Sequence, residues 1–143
     1  MPSPPDAPDW ELYAHGADVG VRGRGATLAA AFEAIAMAVT AAITDPAGVQ
    51  PRTRVAIQCA APDADGLLYE WVNALVYEMA TRRMLFARYH VRTEGTRLDA
   101  EAWGEALDAG RHEPAVEVKG ATYTDLCVTH EGGRWTAQCI IDV

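Results

Sequence analysis

The chain has 143 residues, half of them hydrophobic and 22% charged, which suits one globular domain with a substantial core and excludes a disordered chain. Twelve basic residues against twenty acidic ones give a net charge of −8 at pH 7, so the surface as a whole repels phosphates and argues against strong direct nucleic-acid binding. Cys59, Cys127 and Cys139 form no C-x-x-C pair, the apolar runs are short of a membrane span and no basic-then-apolar pattern stands at the N-terminus, so the expectation is a cytoplasmic protein without a disulfide framework, a structural zinc site or a membrane anchor.

Residues 1–9, rich in Pro and Asp, are expected to form a flexible tail ahead of a single domain over residues 10–143. Trp10 to Tyr13 and Val19 to Gly23 read as short strands on either side of a His-Gly turn. From Thr27 the period changes: Leu28, Ala31, Phe32, Ile35 and Val39 recur at spacings of three and four, predicting an amphipathic helix capped by Thr27 and ending near Thr44. Arg54 to Ala60 alternates as a strand. Asp63 to Gly66 then offers caps for a second helix with Leu68, Trp71, Val72, Leu75 and Met79 as its apolar stripe. Met84 to Glu94 and Arg97 to Gly104 read as antiparallel strands joined near Gly95, and Glu105 to Pro114 as a polar loop.

The last part reads as a hairpin turning at Gly132-Gly133. In that register His130 faces Trp135, Val128 faces Ala137 and Leu126 faces Cys139, so the apolar residues meet on one face. Cys127 then points away from Cys139, and Asp142 falls on the other face, near Tyr123. By the same alternation Val19 and Val21 face the core while Asp18 and Gly20 face away from it. The order β-β-α-β-α-β-β-β-β predicts an α+β fold: a mixed β-sheet with two helices packed on one face, a two-layer sandwich. Gly20-x-x-Gly23-x-Gly25 lacks the strand–turn–helix order and later acid of a dinucleotide fingerprint.

Six segments taken together resemble the archease family. His15-Gly16-Ala17-Asp18-Val19-Gly20 is similar to its H-T-A-D-V-G motif, and Thr27 to Phe32 to its T-L-x-x-A-F helix start. Leu67 to Tyr77 resembles L-L-x-x-W-L-N-x-L-L-Y, and Gly104 to Asp108 resembles G-E-x-x-D. Glu117 to Tyr123 matches E-V-K-A-x-T-Y, and Trp135 to Asp142 the W-x-x-x-x-I-x-D ending. The likeness spans nearly the whole chain in order. Gly16 stands where a Thr is usual and Gly120 where an Ala is common. The resemblance implies an accessory protein rather than a free-standing enzyme: an activator of the RtcB-type RNA ligase of tRNA splicing and RNA repair, promoting its guanylylation and multiple turnover. It also implies, as the alternative, a chaperone or modulator of a tRNA-modifying enzyme such as a tRNA methyltransferase, with a structural metal.

Asp18 and Asp142 carry hard oxygen donors suited to calcium, magnesium or manganese, and the resemblance implies a divalent metal at those two acids. Where the chain ends at Val143, its carboxylate adds another oxygen. The plain alternative is two surface acids at strand ends. His15 is either a ligand or, in the favoured reading, a donor that orients Asp18 or a turn histidine packed on Tyr13. Lys119 can reach the carboxylates or lie on a solvated face, and Glu117, two residues earlier, could pair with it. His112 and Glu113 are expected as exposed loop residues, and Trp71, Phe32 and Trp135 as core. No Ser–His–Asp or Cys–His arrangement is evident, so no catalytic residue is assigned.

Overall fold

The computed structural model describes residues 9–143. The flexible tail expected over 1–9 therefore lies outside the described residues except for Asp9, whose carbonyl accepts from the Arg24 N–H at 2.8 Å. In chain order the elements are β1 (Trp10–His15), β2 (Asp18–Gly25), α1 (Leu28–Ile43), β3 (Thr53–Ala60), α2 (Ala64–Arg82), β4 (Met84–Glu94), β5 (Arg97–Ala106), α3 (Ala109–His112), β6 (Gly120–Ala121), β7 (Cys127–Glu131) and β8 (Arg134–Asp142).

Local chemistry sets both long helices. Thr27 Oγ1 accepts from the Ala30 N–H at 3.0 Å to open α1, and Asp63 Oδ1 accepts from the Gly66 N–H at 2.7 Å to open α2. Each such cap satisfies an otherwise orphaned donor and stabilises its helix by about 1 kcal/mol. The predicted stripe of α2, Leu68, Trp71, Val72, Leu75 and Met79, is buried throughout. Trp71 Nε1 donates to the Phe32 carbonyl at 3.0 Å, tying α2 to α1 inside the core. Thr40, a polar residue with no exposed surface, donates to the Phe86 carbonyl at 2.7 Å and so joins α1 to β4. Phe32 and Trp71 are core as expected. Trp135 is half-buried and stacks on His130 with ring centroids 4.2 Å apart.

The fold is α+β, with helices packed on sheet. The expected mixed sheet resolves into two: one places β1, β2, β8 and β6 in order with β7 also on β8, the other places β3, β5 and β4 in order, and every pairing among the described residues is antiparallel. Both helices touch both sheets. The Gly132-Gly133 turn forms, with both glycines at positive φ, and the hairpin runs from Glu131 opposite Arg134 to Cys127 opposite Gln138.

Beyond that point the extrapolated register does not hold. The chain loops out at residues 122–126, where Asp125 takes a φ of 55°, so Gly120 rather than Tyr123 faces Asp142. The stretch 105–114 also differs from the polar loop that was expected. Strand β5 runs to Ala106, α3 follows, and His112 is buried rather than exposed. The reason is pairing: its ring fills its hydrogen-bonding capacity inside the protein. Among the described residues no helix is long and apolar enough to cross a membrane.

Candidate functional site

The β1–β2 hairpin turns on two residues, Gly16 and Ala17, with Gly16 at φ 59° and open space where a side chain would project. A threonine in that conformation would be strained, so glycine is the residue this turn favours. The hairpin sets His15 opposite Asp18. On its other side β2 pairs with β8 from Gly25 opposite Trp135 to Val19 opposite Ile141. Asp18 and Asp142 are the next residues on the two strands and share one face of the sheet, as opposed residues in an antiparallel pair do. Val143 follows, and its N–H donates to Asp18 Oδ1 at a long 3.4 Å.

The third contributor arrives from the opposite edge of β8. Gly120 faces Asp142, and the Lys119 N–H donates to the Asp142 carbonyl at 2.8 Å. Asn73, on α2, fixes this short strand by accepting from the Ala121 N–H at 2.9 Å. A Cβ on Gly120 would stand 2.9 Å from Asn73 Oδ1. Thus Asp18, Asp142, Val143, Lys119 and His15 share one end of the larger sheet. Glu117 does not join them: it lies in the extended stretch before β6, lines an apolar groove, and forms no ion pair with Lys119. The alternation that suggested that pair fails because the strand begins only at Gly120.

Charge on the same face is disposed unevenly. Arg22 and Arg24 lie further along β2, but Glu11 takes both, at 2.6 and 2.7 Å. Arg22 also donates to Gln138 at 3.0 Å and lies over the Tyr13 ring, which itself covers Gly20. Among the described residues no ion pair reaches Asp18 or Asp142. Two neighbouring carboxylates without a cation suit a hard divalent ion. No set of three His, Cys, Asp or Glu side chains converges among the described residues, so backbone oxygens, a chain-end carboxylate or water would complete its shell.

A second carboxylate centre went unrecognised in the sequence. Glu105 accepts from Arg111 at 2.6 Å, the Gln50 N–H at 2.7 Å and His112 Nε2 at 3.0 Å. His112 Nδ1 accepts from the Asp108 N–H at 2.9 Å, which leaves Nε2 as the nitrogen that carries the proton. The Arg111 guanidinium first, then the Gln50 amide and His112, push the Glu105 pKa down to about 2. The spacing of Gly104, Glu105 and Asp108 was the available signal, but nothing in it pointed to His112. The three cysteines are free, and burial pushes the Cys139 thiol up to about 12 and the Cys59 thiol to about 11, consistent with structural rather than reactive roles.

Comparison with known proteins gives one answer. The model of the archease protein family (MTH1598/TM1083) matches residues 10–143. Protein archease of Thermococcus gammatolerans is 40% identical over 139 residues, covering 94% of this chain and 98% of its own length. Protein archease of Pyrococcus furiosus is 35% identical over 139 residues with the same coverage, 94% and 98%. Among solved structures, protein 1598 of Methanobacterium thermoautotrophicum superposes with a TM-score of 0.81 at 24% identity over 96% of this chain and 100% of its own. An archease of Thermotoga maritima, described as a possible chaperone, gives a TM-score of 0.62 at 16% identity over 100% and 98%. At those identities the two structures speak for the fold alone.

Proposed function

The chain belongs to the archease family, and on that premise we propose that it activates an RtcB-type RNA ligase, promoting guanylylation and multiple turnover, with a divalent metal held by Asp18 and Asp142. The observation that carries this reading is the meeting of Asp18 with Val143, 125 positions apart, beside Asp142 and Lys119 at one exposed sheet end. Calcium, magnesium or manganese bound there supplies positive charge to neutralise the acids and to meet anionic oxygens. Asp18 and Asp142 hold that charge at the tip, with the Val143 carboxylate as a further donor where the chain ends there. His15 stands opposite Asp18 as a turn residue, and Lys119 offers an ammonium to a phosphate or to the partner. Glu117 contacts the partner from the neighbouring stretch. The nucleophile stays on the ligase, and this chain acts as an accessory protein that contributes electrostatics and positioning.

The test measures guanylylation of the purified ligase with wild-type protein and with Asp18→Ala and Asp142→Ala. Both variants should lower the rate at saturation. Rates equal to wild type would sink the proposal.

One observation favours a second reading, a chaperone or modulator of a tRNA-modifying enzyme: an apolar groove of about 500 Å³ lined by Ile43, Val76, Met79, Met84, Leu107 and Val116. That reading predicts suppression of partner aggregation that survives loss of both acids and fails with Met79→Asp.

A further inference from the structure

Asp65, Tyr69, Asn73 and Tyr77 recur every four residues and so form one stripe along α2. The first three are engaged with the stretch that runs from β6 through the loop into β7. Asp65 accepts from the Val128 N–H at 2.8 Å, Tyr69 stacks on Tyr123 with centroids 4.4 Å apart and planes 9° from parallel, and Asn73 holds Ala121. Tyr77, the next position, is 65% exposed, and Tyr123 is 74% exposed. Eight residues of helix separate Tyr69 from Tyr77 by about 12 Å.

Tyr123 is held in water by a bonded loop. The Thr122 N–H and hydroxyl both donate to the Ile140 carbonyl, at 2.9 and 2.8 Å, the Ile140 N–H donates to Thr124 at 3.1 Å, and the Leu126 N–H donates to Tyr123 at 3.3 Å. A ring fixed in this way has already lost its conformational freedom, so a partner that covers it gains contact at little further entropic cost. The strip is also continuous with the acidic end, because Ala121 adjoins Gly120, which faces Asp142.

Charge selects the occupant. Glu70 and Asp125 are exposed beside the two rings, and Asp18 and Asp142 follow at the sheet end, with Lys119 as the cation of the set. A second copy would bring the same acids together, and a nucleic acid would bring phosphates against them. Guanidinium groups stack on tyrosine faces and pair with carboxylates. We propose that Tyr69, Tyr123 and Tyr77 form a docking surface for an arginine-rich face of a protein partner, engaged together with the acidic sheet end. This rests on the proposed function, in which that partner is the ligase: the strip supplies affinity and the acids supply activation.

The experiment titrates guanylylation of the ligase against the concentration of wild type, Tyr123→Ala, Tyr77→Ala and Tyr123→Phe, each checked for its native circular dichroism. The alanine variants should raise the half-maximal concentration roughly tenfold and reach the wild-type plateau, while Tyr123→Phe stays within about twofold of wild type. Alanine curves that superimpose on an active wild type overturn this inference alone. Self-association of the wild type that Tyr123→Ala abolishes overturns it in favour of a second copy. A wild type that never accelerates the ligase removes the proposed function instead, and this surface with it.

Discussion

Glu105 lies near the end of one strand, and Asp18 and Asp142 lie at the ends of two others, yet their surroundings differ completely. Glu105 is met by a guanidinium, a backbone amide and a buried imidazole, at 2.6, 2.7 and 3.0 Å. Asp18 is met by a single amide at 3.4 Å, and Arg22 and Arg24, the cations of its own strand, are taken by Glu11. A carboxylate whose lone pairs are filled from within the protein holds the fold together. One whose lone pairs are left open at an exposed edge is free to meet a cation from outside. Charge and strand position do not separate the two kinds of acid; the partners do.

The largest expected effect falls on the filled centre. His112→Ala removes a buried ring, orphans the Asp108 N–H and leaves Glu105 Oε2 with the Gln50 amide alone, so it should cost about 3 kcal/mol and lower Tm by roughly 10 °C in a thermal melt. An unchanged melt would deny Glu105 its structural role. The open centre should respond in the opposite way. Asp18→Asn with Asp142→Asn relieves like-charge repulsion, so without metal Tm should stay within about 2 °C of wild type or rise, while saturating ligase guanylylation falls about tenfold or more. A large loss of stability in that variant would mean that the two acids are structural as well.

The two centres also differ in their response to pH. The Glu105 pKa lies near 2 against an ordinary 4.5, so the stability its partners confer is fully present above about 4.5 and is lost as pH falls towards 2. Glu105→Gln should flatten the acid limb of a pH–stability profile in that window; a limb identical to wild type would place the acid sensitivity elsewhere. The smallest effect is expected at Gly120→Ala, whose Cβ would stand 2.9 Å from Asn73 Oδ1. The amide is the end of a flexible side chain and can shift, so the cost should be about 1 kcal/mol by denaturant titration.

Much of this was legible in the sequence. Thr27, Asp63 and the three-and-four spacing of the apolar residues carry the two helices, and Gly132-Gly133 carries the final hairpin with its register to Cys127 opposite Gln138. The alternation around Asp18 and the ending at Asp142 place both acids off the core face. What could not be read depends on contacts between distant residues. The loop at Tyr123 to Asp125 shifts the register by three, because its hydrogen bonds go to Ile140, and it thereby brings Gly120 to Asp142. The burial of His112 depends on Glu105, Asp108 and Thr44 meeting around it, the last by donating to the His112 carbonyl at 2.6 Å. The division of the strands into two sheets is likewise a matter of which strands pair, and no periodicity within a strand records that.

The central claim is that the open carboxylates of Asp18 and Asp142 take a divalent ion. Calorimetric titration of calcium, and separately manganese, into wild type, Asp18→Asn with Asp142→Asn, and Glu105→Gln tests it most directly. One site per chain is expected in wild type and in Glu105→Gln, and none in the doubly substituted protein. Equal binding by all three, or no binding by the wild type with either metal, would contradict it.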